Sequence, residues 1–351
     1  MLLKILSSYP KRLGNSSISI MSKRNIARRF VEVFEGFWFR LHGFKPLHVF
    51  ILRLIRVRCL RDNESITRNL LTRALPWDPL INTDGPTLDI YCLVAEKDLD
   101  LLEFTLPSLL NISSNPVRKI FIVAPESLES QVKAICQKLA FQCIFISDEC
   151  LLENFSLDPR QFKSGHPKML MLKYLAAMHS DLENVLVVDG DTVFLKPRQW
   201  LTAEQKLIVV SQELHLFHLD YCSDFFGIDS RDNLGFTTQS QVLSKSDING
   251  IAEHVGGLTA LAMNFSEIYE NFNSRKDQRY FPAEWQLACG WSNEFNERRT
   301  AWGSYSNLGI SREIFFVLMK KNGFLNYSSD CSKFLQSLVP NLGSISLHGY
   351  K

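Results

Sequence analysis

The chain has 351 residues, 46% hydrophobic and 22% charged, a globular composition that excludes a disordered or collagen-like chain. At roughly 150 residues per domain the length suits about two domains, or one large α/β domain with an extension. A net charge of +2 hides an asymmetry: residues 1–75 hold 15 Lys and Arg against 4 Asp and Glu, so the remainder carries −9, and a basic nucleic-acid-reading core is excluded.

The basic arm comes first. In "RRFVEVFEGFWFRLHGFKPLHVFILRLIRVRCL" (28–60) cations alternate with apolar and aromatic residues. Two readings stand: a helical hairpin docking its apolar face on the main domain, or a helix that lies, over residues 24–75, on an anionic membrane surface. Arg53, Arg56 and Arg58 interrupt the best apolar run, which therefore falls short of the roughly 18 residues of a spanning helix. The first twenty residues show no convincing cleavage site. The expectation is a cytoplasmic chain, which the second of these readings would place peripherally on the inner face of a membrane. "PWDPLINTDGPT" (76–87) breaks the helical pattern with three prolines and a glycine, which places a boundary near residue 80.

Strands and helices then alternate. "LDIYCLVA" (88–95) reads as a buried strand and "LDLLEFTLPSLL" (99–110) as a helix. Strands at 119–125 and 142–148, helices at 126–140 and 166–180, and an apolar strand at 185–188 follow. Such a succession predicts an α/β fold with a mostly parallel sheet flanked by helices, whose ligands bind beyond the carboxyl ends of the strands. Beyond residue 212 the pattern loosens into loops and helices near 246–255, 264–273 and 283–295. The domain thus divides into a first half, about 88–212, and a looser second half, about 213–351, where a substrate-specific part would lie. Eight cysteines, at 59, 92, 136, 143, 150, 222, 289 and 331, make no CxxC and no zinc-ligand spacing with His; reduced, mostly buried thiols are expected.

The strand at 185–188 ends in Asp189, Gly190 and Asp191. Two carboxylates with no basic neighbour in the sequence repel unless a cation joins them, and a hard divalent ion takes carboxylate oxygens while keeping positions for phosphate. Gly190 permits a sharp turn and a close ligand. A solvated, strand-ending acidic turn is the plain alternative.

The motif in its setting, "VLVVDGDTVFLKP", resembles the DxD element of nucleotide-sugar glycosyltransferases of the GT-A fold, over roughly residues 88–351. The layout is similar to the group that includes glycogenin and the lipopolysaccharide galactosyl- and glucosyltransferases, closest to a bacterial branch. The resemblance implies a GT-A (Rossmann-like) sheet, a nucleoside-diphosphate sugar donor, and a divalent metal, Mn2+ rather than Mg2+, on Asp189, Asp191 and His348. It places Val94, Ala95, Glu96 and Asp98 at the nucleoside, with Asp98 alternatively a first-turn helix acid. Lys168, Gly190, Gly349 and Lys351 go to the diphosphate, Lys168 alternatively lying on a solvated helix face. The acceptor, a glycan or a lipid-linked sugar, falls to the second half, where Glu284 in "FPAEWQLACGW" contacts its hydroxyl or acts as base, or caps a helix. Trp285 and Trp291 stack on a sugar or belong to the core. Asp191 and Glu284 are thus the candidate catalytic residues.

Two rival readings use the same residues. "DGDTV" also satisfies the nucleophile motif of haloacid-dehalogenase-like Mg2+-dependent phosphatases, although about 100 residues of α/β pattern precede it and "GIDSRDN" (227–233) is a poor second acidic element. A glycosyltransferase-like domain that binds without turnover is the other.

Overall fold

The computed structural model describes residues 85–210, 216–228, 235–277, 279–296, 300–304, 307–339 and 343–348. The basic arm, Gly349 and Lys351 lie outside the described residues, as do residues 229–233 of the acidic "GIDSRDN" stretch and the side chain of His348.

In chain order the strands are β1 (Leu88–Leu93), β2 (Val117–Ala124), β3 (Ile144–Ser147), β4 (Asn184–Asp189), β5 (Thr192–Phe194), β6 (Lys206–Val210), β7 (Ser240–Ser244), β8 (Thr300–Ser304), β9 (Asn307–Ser311) and β10 (Ser344–His348). The helices are α1 (Leu102–Leu109), α2 (Glu129–Lys138), α3 (Asp148–Glu153), α4 (Gly165–His179), α5 (Leu216–Phe226), α6 (Lys245–His254), α7 (Leu258–Asn273), α8 (Glu284–Asn296), α9 (Arg312–Lys321) and α10 (Ser329–Leu338). A five-stranded sheet runs β3-β2-β1-β4-β7. Its first four strands are mutually parallel and β7 is antiparallel to β4. The sheet is mixed and mostly parallel, as the strand–helix alternation requires.

Both faces of this sheet are covered, and the strands are apolar at nearly every position for that reason. Side chains alternate across a strand, so Tyr91 and Leu93 of β1 and Val185 and Val187 of β4 join one core cluster with α4, α6 and α7. Ile90, Cys92, Leu186 and Val188 point the other way, into a cluster with α1 and α2. The parallel register pairs Leu93 with Asp189, so β1 and β4 end level with each other on one edge.

A second, three-stranded sheet, β5-β10-β9, continues from that edge. Val193 and Leu195 on one side and Ile345 and Leu347 on the other bury a third core with Phe315 and Met319 of α9 and Leu335 of α10. The return of Phe194 and Leu195 to the core after the acidic pair is as the sequence suggested, both being buried. Helices α9 and α10 lie where the sequence reading placed only loosened pattern. Trp285 is 2% exposed and belongs to the core. Trp291 is half-buried, its ring edge-on to His254.

One buried amide closes the sheet's far end. Asn115 Oδ1 accepts from the backbone N–H groups of Trp200 and Leu201 at 2.7 and 3.1 Å, and its Nδ2 donates to the Leu201 and Pro86 carbonyls at 2.7 and 3.2 Å. A buried donor or acceptor left alone costs about 1–3 kcal/mol. Asn115→Ala is therefore expected to lower unfolding stability by roughly 2–4 kcal/mol in urea titration, and a change below about 0.5 kcal/mol would refute the role given to this side chain.

Candidate active site

Asp189 is the last residue of β4, and its backbone is held from both sides. Its N–H donates to the Gln239 carbonyl at 2.9 Å, and Gly190 N–H donates to the Leu93 carbonyl at 2.8 Å. From beneath, Thr105 Oγ1 on α1 donates to the Gly190 carbonyl at 3.0 Å, and Ser108 Oγ accepts from Phe194 N–H at 3.0 Å. Both hydroxyl residues are fully buried. Two small polar residues on an otherwise apolar helix face thus fix the acidic turn, and the sequence reading passed over them.

Gly190 is required for a steric reason. A Cβ there would meet the Leu93 carbonyl oxygen at 2.7 Å and Val94 Cγ2 at 3.0 Å. The close neighbour shown by the structure is the end of β1; the glycine lets two strand ends converge.

The charge partner of Asp189 is Lys173, which was not singled out in the sequence. Lys173 is the ninth residue of α4, only 5% exposed. Its Nζ lies 2.7 Å from Asp189 Oδ1 and 2.6 Å from Glu284 Oε1. It also sits 4.4 Å from the centroid of the Trp285 ring, a cation–π placement. Glu284 opens α8 with 7% exposure, and its carbonyl accepts from Tyr174 Oη at 2.8 Å. One buried ammonium therefore joins the acid at the end of β4 to the acid that opens α8, across 95 residues of sequence. The expectation that the acidic pair has no basic neighbour holds along the chain and fails in space.

Asp191 is half-buried, and its carbonyl accepts from Leu347 N–H at 2.8 Å. With Ser346 opposite Thr192 in the antiparallel β5–β10 pair, the backbone of His348 follows on a level with Gly190. Strand pairing thereby brings the carboxyl end of β10 to the acidic turn. Among the described residues no group of three His, Cys, Asp or Glu side chains converges as metal ligands do.

Asp98 follows β1 in a 3-10 turn and is 7% exposed. Burial first, and then the Asp191 charge, raise its carboxyl to about 6, against Lys97 and Arg312. Arg312, at the start of α9, lies 3.7 Å from Asp98 and also pairs with Asp100. Burial, opposed by Lys173 and helped by Asp191 and Glu284, raises Asp189 to about 7. Acids thus outnumber cations here: Asp98, Asp100, Asp189, Asp191 and Glu284 against Lys97, Lys173 and Arg312.

The remaining sequence candidates fall around this centre. Val94 is buried against Gly190, Ala95 is half-buried and Glu96 is exposed. Lys168 sits in the first turn of α4, its Nζ 2.7 Å from Asp148 and 3.7 Å from Glu149. The phosphatase reading needs its motif at the end of the first strand; here three strands precede β4.

No family model matches the chain, and no curated protein sequence does either. The solved structures it is similar to include glycosyltransferases. Mouse xyloside xylosyltransferase 1 in its apo form shares 11% identity, over 74% of this chain and 97% of that one, at a TM-score of 0.42. The galactosyltransferase LgtC, in complex with donor and acceptor sugar analogues, shares 12% over 75% and 87%, at 0.37. The bifunctional glycosyltransferase WbbM, also apo, shares 10% over 79% and 48%, at 0.43.

The raised Asp98 carboxyl has a thermodynamic consequence. A carboxyl whose folded value stands above its unfolded one stabilises the fold fully below the unfolded value, and that contribution is lost as pH rises through the folded value. For Asp98 the window runs from the ordinary value of 3.8 to about 6. Asp98→Asn is therefore expected to match the parent protein near the lower end of that window. Above the window it should exceed the parent by on the order of 2 kcal/mol. Urea unfolding across pH, without added metal, measures this, and equal stabilities at neutral pH would contradict it.

Proposed function

We propose that the chain is a divalent-metal-dependent glycosyltransferase that moves a sugar from a nucleoside-diphosphate sugar to a hydroxyl of a glycan or a lipid-linked acceptor. The observation that carries the reading is the acidic turn Asp189–Gly190–Asp191. It sits at the carboxyl edge of a parallel sheet, where ligands of such sheets bind, with its backbone clamped on both sides and both carboxylates reaching partly into solvent.

The donor set fits a hard divalent cation. Two oxygen-bearing side chains stand in a region of uncompensated negative charge, and burial and like charge hold Asp189 and Asp98 above the ordinary carboxylate range. The carboxyl end of β10 supplies a backbone position beside the turn from which the His348 imidazole would complete the set. An imidazole in that set favours Mn2+ over Mg2+. When bound, the ion supplies Lewis-acid stabilisation of the negative charge that develops on the diphosphate leaving group.

The chain's own residues do the rest. Lys173 holds Asp189 in one orientation and, through the same ammonium, fixes Glu284. Glu284 would receive the acceptor hydroxyl by hydrogen bond and, in an inverting reaction, take its proton. Val94, Ala95, Glu96 and Asp98 border the acidic turn from the end of β1 and form the nucleoside side of the site. Lys168 and Lys351 add positive charge toward the diphosphate, Lys168 by exchanging its Asp148 partner for a phosphate oxygen. The chemical step transfers the C1 of the sugar from a phosphate oxygen to the acceptor oxygen.

The experiment is thermal unfolding of the full chain with Mn2+ and a panel of nucleoside diphosphates. A ligand at 100 times its dissociation constant adds about 2.7 kcal/mol. We expect a shift of several degrees with one nucleotide, dependent on Mn2+ and lost in Asp191→Asn; no shift with any nucleotide in the panel would overturn the reading. The same shift without turnover in a sugar-transfer assay would point to a binding protein.

The basic arm suits an enzyme whose acceptor is lipid-linked, on charge and apolar content alone. No helix among the described residues is long and apolar enough to cross a membrane. Removal of residues 1–75 is expected to abolish co-sedimentation with vesicles containing phosphatidylserine at low salt. Equal sedimentation of the shortened chain would exclude the arm as the anchor.

A further inference from the structure

Away from the acidic turn, two thiols face each other on the outer edge of the sheet. Cys136 Sγ and Cys143 Sγ are 2.9 Å apart. Cys136 lies near the end of α2 and is 7% exposed; Cys143 immediately precedes β3 and is half-buried. Strand β3 is the edge strand of the five-stranded sheet.

The proximity is built by local backbone geometry. Phe141 N–H donates to the Cys136 carbonyl at 2.8 Å and Ala140 N–H to the Gln137 carbonyl at 3.1 Å. Those are the paired bonds of a Schellman ending, with Ala140 in the left-handed position at φ 49. The motif reverses the chain just past α2, which brings the residue two places beyond Phe141 back over Cys136. Eight consecutive residues therefore determine the approach of the two sulfurs. Both thiols line a cavity of about 440 Å3 whose wall includes Lys133, Gln137 and Gln142, all three exposed, so a small reagent has a path to them.

We propose that Cys136 and Cys143 are a redox modification site, a thiol pair that closes an intrachain disulfide when a peroxide enters this cavity.

The two sulfurs are not equivalent. The hydrogen bond from Cys136 holds the Cys143 thiol below its ordinary value, and the same contact, with burial, raises Cys136. Cys143 is half-buried and the more open of the two, while Cys136 is 7% exposed, so Cys143 is the attacking thiolate and Cys136 the resolving thiol. Cys143 sulfur attacks one peroxide oxygen, the O–O bond breaks, and the departing oxygen leaves as water with a proton from solvent. The resulting sulfenic acid on Cys143 is attacked by Cys136 sulfur; the S–O bond breaks, the S–S bond forms, and the oxygen leaves as a second water carrying the Cys136 proton. One hydrogen peroxide is reduced to two waters as two thiols are oxidised. A dithiol reductant reverses the bridge. The site does not depend on the sugar-transfer reading, since none of its atoms belongs to the acidic turn.

The test uses the intact protein and hydrogen peroxide. After brief exposure to a small molar excess and alkylation of the remaining thiols, tryptic digestion is followed by mass spectrometry. Lys138 separates the two cysteines, so trypsin yields independent peptides from the reduced protein and a single linked pair, two hydrogen masses lighter, from the oxidised one. The linked pair should form before bulk oxidation of the exposed Cys150, fragment to a Cys136–Cys143 bond, and vanish with dithiothreitol. In Cys136→Ser the bridge should be absent and Cys143 should be trapped by dimedone as the sulfenic acid. Oxidation of Cys150 while both Cys136 and Cys143 remain alkylatable in the folded wild-type protein would overturn the proposal. Fragmentation that places the bond at Cys150 would do so as well.

Discussion

The centre of this molecule is organised by one buried ammonium. Lys173 emerges from a helix that is otherwise apolar through its middle, and it has two carboxylates to satisfy it, Asp189 at 2.7 Å and Glu284 at 2.6 Å. An isolated ion in such surroundings is strongly disfavoured, and removing one partner of a buried pair typically costs about 3–5 kcal/mol. That penalty ties three elements together. α4 can lie against β4 only in the translation that brings Lys173 to the strand's end, and α8 must start where Glu284 completes the bridge. The helix N-terminus also favours an acid in its first turn, so Glu284 is held by the helix and by the lysine together.

Backbone geometry makes the same site rigid by different means. Gly190 lets the ends of β1 and β4 converge, because any side chain there would drive into the Leu93 carbonyl. Thr105 and Ser108 then fasten the turn from α1, and β10 fastens it from the second sheet through Asp191. The carboxylates consequently project from a turn whose peptide groups already have partners. A site that is to bind a cation with defined geometry benefits from this, since little reorganisation is left for the moment of binding.

The sequence made the sheet legible because β1, β2 and β4 are short apolar runs flanked by turn signals, and two-faced burial leaves no other pattern that fits them. The acidic turn was legible because a charged pair ending such a run is conspicuous. Lys173 was not, since its partners stand 16 and 111 positions away and a lysine within an apolar helix has no local signature of pairing. Thr105 and Ser108 were missed for a related reason: small hydroxyl residues on a buried helix face read as spacing until their backbone partners are known. The antiparallel direction of β7 was not legible, because an isolated strand carries no mark of its direction. Helices α9 and α10 were not legible in the loosened pattern of the second half.

The electrostatics of the edge run in two opposite senses, and their separation is informative. In the Asp189–Lys173–Glu284 bridge a single ammonium serves two carboxylates, so part of their charge is met by a fixed cation. Asp98 and Asp191 repel each other, with Arg312 shared between Asp98 and Asp100. A purely structural acidic turn has no reason to keep this excess, because solvated acids could be replaced by neutral polar residues with a gain in stability. Fixing one carboxylate from below while leaving its neighbour's charge uncompensated above is the arrangement that a divalent cation arriving from solvent would relieve. The charge left over at this edge, more than the presence of the two aspartates, is what supports the proposed cation site.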